Sequence, residues 1–183
     1  MPTPTQARVS PPLIVALALS ALLVVGVAIA GIVLGRSATT PTATPPPATG
    51  PVILVPVSAP QAGSAGCAAL TRALPATLSN GANPLHRRPL AAPAPQAAAA
   101  WGAGDPVVLR CGIERPPELT ATSELLDVSG VRWFQVTGSG AATWYAVDRK
   151  AVVALTLPDG VATGPIQDVS TAITAAMPAV PVF

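Results

Sequence analysis

Residues 13–34, LIVALALSALLVVGVAIAGIVL, form one apolar run without a charge, with Arg8 before it and Arg36 after it. At about 1.5 Å of rise per residue, a helix of roughly 22 residues reaches about 33 Å, enough to cross a hydrocarbon core of about 30 Å. Pro11 and Pro12 stand just ahead of the run, where a helix start tolerates proline. The predicted element is a transmembrane helix. A cleavable signal peptide is the rival reading, since Ala28-Ile29-Ala30 has the small-x-small form of a cleavage site. The apolar run continues past that site through Ile32, Val33 and Leu34, which favours an uncleaved signal anchor. The flanking charges nearly balance, so the positive-inside bias is slight.

The pattern then breaks. Residues 37–50, SATTPTATPPPATG, repeat Ser, Thr, Pro and Ala and contain nothing able to build a core. Such a stretch is an extended, partly polyproline spacer. The threonines there are candidates for O-linked sugar in an exported chain.

From residue 51 the pattern becomes that of a folded domain. Val52-Ile53-Leu54-Val55 reads as a strand, which Pro56 confines to an edge. Cys67, Leu70 and Leu74 recur at helical spacing behind Ser64, a candidate N-cap, and Pro75 ends or bends that helix. Residues 79–100 are rich in turn formers and alanine, with Arg87 and Arg88 expected in solvent. Strand patterns follow at residues 107–111, 131–136, 143–147 and 152–157. Gly138-Ser139-Gly140 joins the second and third as a hairpin, Asp148-Arg149-Lys150 makes a turn, and Pro158-Asp159-Gly160 closes the last strand. A final helix is expected over residues 164–177, with Ile166, Val169, Ile173 and Met177 on one face.

The strands lie too close together for regular crossover helices. The expected fold is therefore α+β, a small, mostly antiparallel sheet with two packed helices, preceded by the transmembrane helix. The expected domain organisation is a cytoplasmic N-terminus over residues 1–12, the span over 13–34, the linker over 35–50 and an extracytoplasmic domain over 51–183.

Cysteine usage decides the expected compartment. Cys67 and Cys111 are the only two, both in the downstream domain, and an even pair in an exported domain reads as a disulfide. Helix 67–74 packing near strand 107–111 would bring them together. Two buried thiols are the alternative. A lipidated Cys67 is excluded, because it lies some thirty residues beyond the apolar run. The expected location is the cell membrane, single-pass, with the domain outside the cytoplasm.

Composition and charge narrow the partners. Of 183 residues, 50% are apolar and only 10% charged, and proline alone accounts for 23. The net charge of +2 is misleading, because Arg8 and Arg36 supply it; the domain beyond them is near neutral. No basic tract interleaved with aromatics is present, so no nucleic-acid partner is expected.

Residues suited to chemistry are sparse. His86 is the only histidine and sits in a turn-like basic context, Pro84-Leu85-His86-Arg87-Arg88-Pro89. The chain has no His-Glu-x-x-His helix, no Gly-x-Ser-x-Gly elbow and no phosphate loop. Glu114, Glu118, Glu124 and Asp127 fall in a polar stretch with nothing to set any two across a cleft. No metal, cofactor or catalytic residue is expected. What remains is a set of tryptophans and charged residues, from which Trp101, Arg110, Trp144, Asp148 and Arg149 form the candidate binding patch. The plainer reading has Trp133 and Trp144 pairing across the hairpin, with Arg149 pairing with a carboxylate.

One resemblance adds to this. Cys67-x-x-Leu70, Ala73-Leu74-Pro75, Trp101-Gly102, Asp105-Pro106, Leu109-Arg110-Cys111-Gly112, then Val131, Trp133, Trp144 and Val147-Asp148-Arg149 follow one another in an order that resembles the Domain of Unknown Function 3515 family. The likeness runs from about residue 51 to 176. The chain departs in carrying Ala103-Gly104 between Trp101-Gly102 and Asp105-Pro106, so it passes no role to Trp101. The resemblance implies a membrane or secreted actinobacterial protein and brings no catalytic residues. The reading from sequence is a tethered, non-enzymatic binding or accessory module of the cell envelope, with an envelope protein or cell-wall partner. The alternatives are a small envelope enzyme with an unfamiliar site around Arg110, Asp148 and Arg149, or an accessory subunit of a membrane complex.

Overall fold

A computed structural model of the chain describes residues 50–183. The expected span over 13–34 and most of the linker lie outside these residues. Among the described residues no helix is long and apolar enough to cross a membrane.

Eight strands and two helices follow in the order α1 (Ala65–Ala73), β1 (Thr77–Leu78), β2 (Leu85–Arg88), β3 (Ala98–Trp101), β4 (Val107–Ile113), β5 (Leu126–Val128), β6 (Val131–Thr137), β7 (Ala141–Ala146), β8 (Val152–Pro158) and α2 (Gly164–Ala176). The strands make one sheet in the order β1-β2-β3-β4-β8-β7-β6-β5. Every neighbouring pair is antiparallel. The fold is α+β, as expected, with a sheet wider than the five expected strands indicated.

Both helices start and stop for local reasons. Ser64 caps α1, its Oγ accepting from the Cys67 backbone N–H, and the chain turns extended at Leu74, ahead of Pro75. In α2, Pro165 occupies the first turn, where its missing N–H costs nothing. Ile166, Val169 and Ile173 lie buried on the face that points at the sheet, with Met177 just past the helix end.

The core fills the space between that helical pair and one sheet face. Cys67, Leu70, Leu74, Ile166, Val169 and Ile173 pack against Leu109, Val131, Trp133, Val153 and Leu155. Strand β8 is central and is buried along nearly its whole length, which its unbroken VVAL run requires. On the opposite face a second, smaller cluster joins Leu119, Val147 and Val182 to Phe134 and Tyr145.

Three expectations change. Residues 52–55 do not form a strand: only Val52 makes an isolated bridge, to Leu90. Ile53 and Val55 point into solvent, 84% and 73% exposed, so no partner rewards extending the ladder. The alanine- and turn-rich stretch, in contrast, supplies β2 and β3. Arg88 there is not solvated. It is half-buried, donating to the carbonyls of Gly50, Gly102 and Gly104 and so fixing the chain where it enters the domain. Finally, Trp133 does not face Trp144 across the hairpin; the register sets Trp133 against Ala146 and Trp144 against Gln135.

Candidate functional site

The two cysteines are joined. Cys67 in α1 and Cys111 in β4 form a disulfide with Cα atoms 5.6 Å apart, 44 residues apart in sequence. Gly112, next in line, sits at a register shift in β4 with φ +82°. A side chain there would strike the backbone of Gln61 and Ala62, so only glycine lets the chain leading to α1 cross this strand. Gln61 donates its N–H to the Gly112 carbonyl at 3.0 Å.

The five patch residues are not gathered at one place. Trp101 is fully buried in β3, its Nε1–H donating to the Pro75 carbonyl at 3.0 Å, with the Arg87 guanidinium 5.6 Å from its ring centre. Trp144 is half-buried in β7 and edges a small cleft of about 230 Å³ with Leu126, Val128 and Ile166. Arg110 projects from β4 on the sheet face away from the helices. It donates to the Val55 carbonyl at 2.8 Å and lines a shallow cleft of about 380 Å³ with Pro56, Val57, Pro93, Pro95 and Gln96. Burial lowers the pKa of its guanidinium below the ordinary arginine value.

Asp148 and Arg149 are brought together, but inward. They are 5% and 3% exposed, and Arg149 Nη1 lies 2.7 Å from Asp148 Oδ2. The arginine also donates to the carbonyls of Asp148 (3.0 Å) and Gly130 (2.9 Å) and to Thr174 Oγ1 (3.5 Å). Arg149 thus pairs with a carboxylate, as the plainer reading expected. Asp148 Oδ1 and Arg149 Nε have no hydrogen-bond partner among the described residues. The Arg110 cleft contains neither of them.

The other polar residues are spread out. His86 is exposed on β2, its Nδ1 3.3 Å from Thr77 Oγ1. Glu114, Glu118 and Glu124 are exposed in the loop after β4, and Asp127 accepts from the Gly130 N–H at 3.1 Å in the β5–β6 hairpin. Among the described residues no three His, Cys, Asp or Glu side chains stand close enough to hold a metal ion.

A larger concavity was not anticipated. A groove of about 840 Å³ runs along α1 and past the end of α2, lined by Ala65, Gly66, Ala69, Ala151, Ala176, Met177, Pro178 and Val180 with Arg72 and Lys150 among them. Its walls come from three separate stretches of chain, and the only sequence signal was Lys150, the single lysine.

These features define a class: a two-layer α+β domain, stapled by a disulfide between its first helix and the middle of its sheet, with grooves on its surface. The family model described as "Protein of unknown function (DUF3515)" matches residues 17–182, and the chain belongs to that family. No curated protein and no solved structure matches it.

Proposed function

We propose that this chain is a single-pass membrane protein whose domain lies outside the cytoplasm and works by binding, as a recognition or accessory module of the cell envelope. The observation that carries the reading is the Cys67–Cys111 bond, which follows an apolar run long enough to span a bilayer. Disulfides of this structural kind persist in oxidising compartments and are rare in the cytosol. The binding role is favoured over a reaction because the polar residues best suited to catalysis, Asp148 and Arg149, neutralise each other in the interior, away from the Arg110 cleft.

The test is made in intact cells carrying the full chain. Cys67 and Cys111 should resist a membrane-permeant thiol reagent until a reductant is added, and protease added outside should remove the domain. Free thiols together with a protected domain would overturn the topology. Purification in mild detergent should then retain a stoichiometric envelope component; turnover of an envelope substrate by the isolated chain would replace binding with catalysis.

A further inference from the structure

The groove between α1 and the chain beyond α2 has a composition that narrows its occupant. Its floor and walls are Ala, Gly, Met, Pro and Val, with Gln61 and Ser64 the only uncharged polar side chains besides. Ser64 Oγ is already engaged as the α1 cap. Both charged residues in the lining, Arg72 and Lys150, are cations and both are exposed. All eight acidic residues of the chain lie within the described residues, and none comes within ion-pair distance of either cation. Two cations held without a counter-ion beside an apolar trough complement a molecule that is anionic at one end and hydrocarbon over the rest.

We propose that this groove binds a membrane lipid with an anionic headgroup, the phosphate meeting Arg72 and Lys150 and an acyl chain lying over Gly66, Ala69 and Met177. The volume suits one small-molecule ligand or part of a lipid, falling within the range of about 300–1,000 Å³ usual for such sites. An acidic peptide fits less well. Its backbone N–H and C=O groups would need partners that an alanine-lined trough does not offer, and covering them unpaired opposes binding. A hydrocarbon chain needs none. Gly66 keeps the trough open: a side chain there would press on Met177 Sδ at 2.8 Å. The proposal names the ligand for the binding role put forward above and rests on that role, not on the topology.

The chain has two methionines, Met1 and Met177, so methyl-labelled methionine gives one resonance inside the groove. The full chain is placed in phosphatidylcholine nanodiscs, and phosphatidylglycerol is introduced stepwise. The Met177 methyl signal should move and saturate with phosphatidylglycerol and stay fixed in phosphatidylcholine alone. The double variant R72Q/K150Q should raise the amount needed for half-saturation about tenfold, the combined worth of two exposed charge contacts. A69W, which fills the trough and leaves both cations, should abolish the shift while the thermal midpoint stays close to that of the native chain. A signal that never moves overturns the proposal, as does a native response in either variant. Equal responses to inorganic phosphate or to a poly-glutamate peptide would overturn it by naming a different ligand. If the titration fails while an envelope component still co-purifies, the lipid proposal falls and the binding module stands without it.

Discussion

The Asp148–Arg149 pair is the most exacting test of how this domain is held together. Two opposite charges sit 2.7 Å apart, with side chains 7% and 2% exposed, and each retains one buried atom without a hydrogen bond. Taking such ions from water costs several kcal/mol apiece, which mutual attraction offsets only when the remaining polar atoms are satisfied. Here they are satisfied in part. Arg149→Met should therefore leave Asp148 as a buried, uncompensated carboxylate and release the Gly130 carbonyl from its donor, at about 3–5 kcal/mol. For a domain of this size that lowers the thermal midpoint by roughly 10–20 °C. Asp148→Leu alone should cost a similar amount by stranding the guanidinium. The double variant should recover much of the loss, because two apolar side chains of comparable bulk need no counter-charge, giving a coupling energy of about 2 kcal/mol or more. Urea denaturation of the oxidised full-length chain, followed by tryptophan fluorescence, reads all three. The reasoning is refuted if either single variant costs under about 1 kcal/mol, or if the two losses add within about 0.5 kcal/mol.

Three further outcomes follow from the same geometry. Replacing both cysteines by alanine frees a 44-residue separation and should lower stability by about 4 kcal/mol on the chain-entropy account, measured by denaturation against the oxidised native chain. Gly112→Ala should cost about 3 kcal/mol, because a left-handed backbone and a clash with the Gln61–Ala62 backbone act together; Gly66→Ala, which meets only the movable end of Met177, should cost about 1 kcal/mol or less by the same melt. Burial first, and the Glu118 charge second, raise the Tyr145 phenol above its ordinary pKa of 10.0. The folded state thus holds that proton longer than the unfolded chain, so the associated stability is fully present below pH 10.0 and is lost as pH rises through the folded-state value. Tyr145→Phe should flatten the alkaline limb of a stability–pH curve, and an unchanged limb would count against this account.

Much of the domain was legible from residue patterns, and the failures share a cause. Ser64 with Cys67, Leu70 and Leu74, and Ile166 with Val169 and Ile173, declare helices because the 3.6-residue period puts their apolar atoms on one face. Strands β4, β6, β7 and β8 declare themselves through β-branched and aromatic residues. Strands β2 and β3, LHRR and AAAW, carry no such preference; they are strands because Arg87 and Arg88 pair with Trp101 and Ala100 across the sheet. Residues 52–55 fail the opposite way, with strong strand propensity and no ladder to join beyond Val52. The groove was illegible because its lining alanines are unremarkable singly, and only the packing of α1 beside α2 gathers them.

The residues that carry the family resemblance grip the chain segments that flank the two helices. In Arg110-Cys111-Gly112, the arginine holds the Val55 carbonyl, the cysteine holds Cys67, and the glycine makes room for Gln61 and Ala62. Three consecutive positions thus fasten the whole approach to α1 onto the middle of the sheet. Val147-Asp148-Arg149 does the same for the chain after α2: Arg115 bridges the carbonyls of Val147 and Val182, the Asp148 carbonyl accepts from the Val180 N–H, and Arg149 pairs with Ala179. Trp101 fixes Pro75 just past the end of α1, and Trp133 donates to Ser170 within α2 at 2.9 Å. A signature made of fasteners identifies an architecture and leaves its chemistry unstated. Arg72 and Lys150 stand outside this set of fasteners, exposed beside the trough that both strapped segments line, where they can meet a ligand.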